Sequence, residues 1–220
     1  MKYKCLVLDH DDTLVNSTAT IHYPCFLEYL SKIRPGEEKN YTLESYLEKN
    51  FHPGVEYLFL TELGMSESEF EEEQRYWSEY VKSHIPKAYQ GFREIIEDFK
   101  RQGGIVAVAS HSYTGYIQRD YRENGIPMPD EIYGWDLPRE KRKPSPFALL
   151  DLIEKYSLSP NEILVVDDLK PGLDMARGAG ADFAAAGWAY GVPLIEASMR
   201  ESGCVYLSSV EELRTLIFGE

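Results

Sequence analysis

The chain has 220 residues, 43% of them hydrophobic and 13% aromatic, a mixture that builds a core and excludes a disordered polymer. Its 23 Lys and Arg against 37 Asp and Glu leave a formal charge of −14, which repels nucleic-acid phosphates and anionic bilayers, so neither is expected as a partner. No run approaches the roughly 18 apolar residues of a membrane span. Met1–Lys4 leads directly into Cys5–Leu8, too short for a secretory signal core. The three cysteines, Cys5, Cys25 and Cys204, lack metal-ligand spacing, and a cytoplasmic protein with reduced thiols is expected.

Along the chain, Tyr3–Leu8 reads as a buried strand that ends at Asp9. From residue 15 to 88 no buried strand follows. Pro35-Gly36 and Pro53-Gly54 break helical material there, and Ser66 with Glu69 forms a capping box that opens a helix running through Phe70, Tyr76, Trp77 and Tyr80 to Val81. The acidic run Glu67–Glu73 on it reads as solvated surface, and Tyr23, Phe26, Tyr29, Tyr41, Tyr46, Phe51 and Tyr57 read as packing residues. A helix over Phe92–Gln102 then precedes a strand, Ile105–Ala109, that ends at Ser110; a second helix covers Thr114–Asn124 and a third Phe147–Tyr156. The strand Ile163–Val166 ends at Asp167, a helix spans about Leu173–Ala179, and Asp182–Ala186 and Cys204–Leu207 are weaker strands. Glycines close several of these helices, as C-terminal caps do.

Continuous Val/Ile/Leu/Ala strands alternating with helices predict an α/β fold, a doubly wound parallel sheet buried on both faces. The expected core is 1–14 with 89–220, and the expected helical cap domain is 15–88, inserted after the first strand. Ligands bind at the carboxyl ends of such strands, so the polar residues found there come first. They are Asp9-His10-Asp11-Asp12-Thr13-Leu14, Ser110, Lys143-Pro144-Ser145-Pro146 before a helix, and Asp167-Asp168-Leu169-Lys170-Pro171-Gly172. Each has an ordinary reading alone: a loop cap or a cation site without turnover, a helix cap, a solvated basic loop over Lys141-Arg142-Lys143, a turn.

In this order, at these strand ends, the four segments resemble the four motifs of the haloacid dehalogenase superfamily over essentially the whole chain. Trp188-Ala189-Tyr190-Gly191 is similar to a stretch in the phosphoglycolate phosphatase branch, which shares its pattern with beta-phosphoglucomutase-like members. The resemblance implies a Mg²⁺-dependent phosphatase acting on a small phosphorylated metabolite. Asp9 would be the nucleophile, since a carboxylate attacking phosphorus splits one hard step into two. Asp11 would serve as general acid and base, a role worth about 10²–10⁴ in rate. Ser110, the loop at His10, and His111 would contact the phosphate, and Lys143 would offset negative charge. Mg²⁺ would sit on Asp9, the backbone carbonyl of Asp11, Asp168 and, directly or through water, Asp167. Hard oxygen donors and a phosphate ester suit that ion.

Three positions depart from the family pattern: Asp12 where Gly is common, Leu169 where a small polar residue is usual, and Gly172 where many relatives carry an acid. The His10 imidazole is expected to fill space beneath the cap. His52-Pro53-Gly54 is a candidate specificity turn. The carboxylate at Asp11 argues against metal-free dehalogenation. A sugar-phosphate mutase is the enzymatic alternative, and a non-catalytic phosphate-binding module the alternative of a different class. A chain of this size with one cap is expected to act as a monomer.

Overall fold

A computed structural model describes residues 2–219. The first strand, β1 (Cys5–Leu8), leads into the helical insertion: α1 (Tyr23–Ile33), α2 (Leu43–Phe51), the single turn α3 (Val55–Tyr57) and α4 (Glu67–Ser83). There follow α5 (Phe92–Arg101), β2 (Ile105–Ala109), α6 (Thr114–Glu123), β3 (Glu131–Tyr133), α7 (Phe147–Tyr156) and β4 (Ile163–Asp167). The chain closes with α8 (Lys170–Ala179), β5 (Asp182–Ala186), α9 (Pro193–Glu201), β6 (Val205–Leu207) and α10 (Val210–Phe218). Among the described residues no helix is long and apolar enough to cross a membrane.

All six strands join one sheet in the order β3-β2-β1-β4-β5-β6, and every pairing is parallel. β1 therefore lies at the centre, with the connections winding one way through β2 and the other through β4. Its residues Cys5–Leu8 have no exposed surface, which is why the strand is uniformly apolar rather than alternating. Leu6, Leu8, Val106, Val108, Leu164 and Val166 share one cluster with Phe92, Ile96 and Phe99 of α5 and Ile117 and Tyr121 of α6. β3 lies outside the sequence expectation. It is three residues long, sits at the sheet edge, and has only Tyr133 buried, so it carries no continuous apolar run. α9 and α10 are likewise additions. For α10 the signal existed: Ser209 accepts from the Glu212 N–H at 3.2 Å, the same Ser-x-x-Glu spacing as at Ser66.

Contacts divide the chain into two compact units. One comprises the residues up to Asn16, Lys87–Gly191 and those from Glu196 on; the other comprises Ser17–Pro86 with Val192–Ile195. The second unit has its own core, in which Phe26, Tyr29, Leu30, Tyr46, Leu58 and Phe59 are buried. Phe26 meets Tyr41 edge-on at 5.1 Å and Phe59 at 5.8 Å, arrangements that suit the ring quadrupoles. α2 and α4 each open with a reciprocal capping box, Thr42–Ser45 and Ser66–Glu69. One expectation for α4 fails. Glu73 is not solvated but buried, with 4% of its surface exposed. The cause is helical spacing: position 73 follows Phe70 by three and precedes Trp77 by four, which puts it on the packed face.

Candidate active site

β1 and β4 are neighbours with Leu8 opposite Val166, so the residues just beyond them emerge side by side. The Asp9 N–H donates to the Val166 carbonyl at 2.9 Å, which extends the pairing one residue past the strand. Asp167 is the last residue of β4, and Asp168 follows it. Carboxylate oxygens of Asp9, Asp167 and Asp168 lie within 4.8 Å of one another, and all three residues are buried. Lys143 comes from the segment before α7. Its Nζ donates to Asp9 Oδ1 at 2.7 Å and to Asp167 Oδ2 at 2.5 Å, from a side chain only 6% exposed.

On the other side of β1, β2 ends at Ala109 and the Ser110 N–H donates to the Tyr133 carbonyl at 3.0 Å. Ser110 is buried, and its hydroxyl accepts from the Ser112 N–H at 3.2 Å.

Charge explains the need for each partner. Burial alone works against the Lys143 ammonium, but the Asp167 and Asp9 carboxylates outweigh it and hold its pKa above the ordinary value. Asp167 is pushed up to about 7, chiefly by burial, with Lys143 opposing and Asp9 adding to the rise. Asp168 is raised well above the carboxylate range by burial and then by its neighbours Asp167, Asp9 and Asp12. Three clustered carboxylates against one ammonium leave a deficit of positive charge in a dry setting, and such charges need partners.

The loop after Asp9 turns back sharply, with the N–H groups of Leu14 and Val15 both donating to the His10 carbonyl at 3.0 and 3.1 Å. Asp12 lies in this turn at φ +57°. That left-handed conformation suits glycine, and Asp is among the few other residues that adopt it readily. Gly172 has an equally direct reason. A Cβ there would lie 2.2 Å from Asp167 Oδ2, so the acid at 167 and a side chain at 172 exclude each other. Leu169 contributes its backbone, its N–H donating to Asp167 Oδ1 at 2.8 Å.

The His10 imidazole differs from expectation. It is buried against α6 of the sheet unit, with Nε2 3.0 Å from Asp120 Oδ2 and the ring stacked on Tyr121 at 6.2 Å. Burial disfavours its cation, but the Asp120 hydrogen bond and the Asp11 carboxylate outweigh that and raise its pKa. Arg119 also pairs with Asp120, at 2.7 Å. The Asp11 carboxylate stands apart from the three-acid cluster and accepts a hydrogen bond from the Ser112 hydroxyl. His111 Nε2 lies 3.1 Å from the Lys143 carbonyl; since a carbonyl only accepts, that nitrogen carries the proton. Lys141 and Arg142 are not a freely solvated loop. Lys141 sits 4.4 Å over the Phe147 ring and Arg142 4.1 Å over that of Trp135.

Four contacts lie outside the residues read as a site from sequence. Tyr190 donates its hydroxyl to Asp168 Oδ2, and Thr13 donates to Asp168 Oδ1 at 3.3 Å. Trp188 Nε1 donates to the Thr13 carbonyl at 2.9 Å, and Asp120 orients His10. Tyr190 and Trp188 follow β5, so the strand-end rule applied to the fifth strand points to them. Asp120, in mid-helix, offers no such signal.

The donor set of Asp9, Asp167 and Asp168 fits a divalent cation. It consists of hard carboxylate oxygens, few in number, buried and short of positive charge, the arrangement that Mg²⁺ completes with water and a substrate oxygen.

The chain is similar to several known proteins. Phosphoglycolate phosphatase from Haemophilus influenzae aligns over 119 residues at 27% identity, covering 52% of each chain. The Mannheimia succiniciproducens enzyme of the same name aligns over 110 residues at 31%, covering 49% of this chain and 47% of its own. The chain thus matches about half the length of these curated relatives. Among solved structures, a conserved haloacid dehalogenase-like protein of unknown function from Agrobacterium tumefaciens superposes with a TM-score of 0.77, over 98% of this chain and 97% of that one, at 17% identity. A predicted phosphoglycolate phosphatase from Haemophilus somnus gives 0.74 at 23% identity, over 97% and 99%. The sequence model of the haloacid dehalogenase-like hydrolases matches residues 6–186, from β1 to the end of β5, and the chain belongs to that family.

Proposed function

We propose that the protein is a Mg²⁺-dependent phosphatase that hydrolyses a small phosphorylated metabolite through an aspartyl-phosphate on Asp9. The observation that carries the reading is the Lys143 ammonium, buried between the Asp9 and Asp167 carboxylates at the carboxyl ends of β1 and β4. Phosphoryl transfer asks for positioning and charge neutralisation more than for covalent chemistry.

In this reading Asp9 attacks phosphorus, and Lys143 shields its carboxylate from the incoming phosphate oxygens. Ser110 and the backbone N–H groups at His10 hold those oxygens, with His111 beside them. Asp11 gives a proton to the leaving oxygen and later takes one from the water that cleaves the acyl phosphate. Ser112, bonded to the Asp11 carboxylate, fixes its orientation between the two steps. Asp9, Asp167, Asp168 and the Asp11 carbonyl would hold the metal, which when bound neutralises charge on the transferring group. The helical insertion 15–88 serves as the cap domain that selects the substrate, and 1–14 with 89–220 form the catalytic core domain.

The test is phosphate release from p-nitrophenyl phosphate with and without Mg²⁺. Turnover is expected only with the metal, and Asp9→Asn should reduce it to background. Activity that persists in excess EDTA, or in the Asp9→Asn protein, refutes the mechanism.

A further inference from the structure

Asp9, Asp167 and Asp168 can each turn one carboxylate oxygen toward a common cation, and much of their remaining capacity is already engaged. Lys143 donates to Asp9 Oδ1 and to Asp167 Oδ2, and the Leu169 N–H donates to Asp167 Oδ1. Asp168 is engaged at both ends, by the Thr13 hydroxyl on Oδ1 at 3.3 Å and by the Tyr190 hydroxyl on Oδ2. The residue is buried, with 4% of its surface exposed, so these donors rather than bulk water set its orientation.

The number of oxygens a site can offer decides which ion it prefers. Ca²⁺ takes about six to eight oxygens in flexible geometry and accepts both oxygens of one carboxylate, whereas Mg²⁺ demands a near-octahedral shell of few carboxylates and several waters. A carboxylate oxygen that accepts a hydroxyl proton keeps a lone pair, but the donor fixes its direction and makes it a poorer second arm of a chelate. Asp168, with Tyr190 on Oδ2, is thereby suited to ligation through one oxygen.

The neighbour of Asp168 in sequence, Leu169, has no hydroxyl to give. The hydroxyl arrives instead from the stretch after β5, the strand paired with β4. Trp188 in the same stretch donates to the Thr13 carbonyl, so the residues after β5 reach the turn behind β1 as well as the acid behind β4. All of these residues belong to the sheet unit.

We propose that Tyr190 is a positioning residue that holds Asp168 to ligation through one oxygen and thereby biases the cation site toward Mg²⁺ over Ca²⁺. The inference rests on the metal-dependent reading of the site and adds to it the residue that sets the choice of ion.

The test is calorimetric binding of Mg²⁺ alone and of Ca²⁺ alone to the metal-stripped 220-residue chain. The readout is the ratio of the two dissociation constants. Tyr190→Phe keeps the ring and removes only the hydroxyl, and it should raise Ca²⁺ affinity relative to Mg²⁺ by about tenfold. Trp188→Phe removes the neighbouring bond but leaves the Tyr190 hydroxyl in place, and its ratio should stay close to that of wild type. An unfolded fraction lowers the stoichiometry of binding and not the ratio, so loss of folding does not imitate the effect.

A ratio that Tyr190→Phe leaves unchanged overturns the inference, and so does equal weakening of both ions, the result a merely structural role produces. A shift of the same size in Trp188→Phe also overturns it, since general loosening of the segment is then the cause. If the wild-type chain binds neither ion, the metal-dependent reading fails and takes the inference with it. Wild-type binding of Mg²⁺ with a ratio indifferent to Tyr190→Phe refutes the inference alone.

Discussion

Glu73 offers a direct test of the electrostatics in the helical unit. Its side chain is buried in α4, Oε2 accepts a hydrogen bond from Gln74 Nε2 at 2.7 Å, and among the described residues no Lys or Arg forms an ion pair with it. His22 acts on it electrostatically, and His22 Nδ1 accepts from Trp77 Nε1 at 2.9 Å. Burial pushes the Glu73 carboxyl up to about 7, with the Gln74 bond and His22 opposing, from an ordinary 4.5. Cys25, pushed up to about 12 by burial and then by Glu73, faces the same group.

The sign follows from proton counting. Between the two pKa values the folded chain binds more protons than the unfolded chain, so stability falls as pH rises and the loss is complete above about 7. That loss amounts to about 3 kcal/mol by pH 8, and less than about 1 kcal/mol near pH 5. Glutamine has the same shape and cannot ionise. Glu73→Gln should therefore match wild type within about 1 kcal/mol near pH 5 and exceed it by about 3 kcal/mol at pH 8. Urea unfolding at both pH values, read by tryptophan fluorescence, measures the gap. A gap that does not grow with pH, or a variant that is less stable at both values, refutes the reasoning.

The site itself yields two more expectations. Alanine for glycine inside a helix ordinarily adds about 1 kcal/mol of stability, but Gly172→Ala should force the Asp167 carboxylate off Lys143. Mg²⁺ titrations of p-nitrophenyl phosphate turnover should then show affinity for the metal falling about tenfold or more, and an unchanged titration would mean that Asp167 does not support the metal. Asp11→Asn should slow turnover by about 100-fold or more. Asp12→Asn should stay within a few-fold, because Asn also tolerates the left-handed φ at that position. Equal losses would show that the acid/base role has been placed on the wrong residue.

Much of the architecture was legible because buried parallel strands must be apolar throughout. Cys5–Leu8, Ile105–Ala109 and Ile163–Val166 announce themselves as uninterrupted runs, and in such a sheet their carboxyl ends mark the place for Asp9, Ser110 and Asp167. Edge elements obey no such constraint, and β3, with one buried residue, left no trace. The departures at Asp12 and Gly172 were visible as departures, but their causes needed φ and a Cβ position.

What the sequence determined by itself is local: which segments bury both faces, where helices start at Ser66 and stop at Gly180, and which acids stand at strand ends. What only the tertiary structure decided is which distant groups meet. The burial of Glu73 depends on what packs against α4. His10 turns away from the loop toward Asp120, and Tyr190 reaches back to Asp168. Arg142 is locked over Trp135 instead of waving in solvent. Local pattern records the environment a residue requires of its own element, whereas pairing across the fold depends on distances that no spacing along the chain encodes.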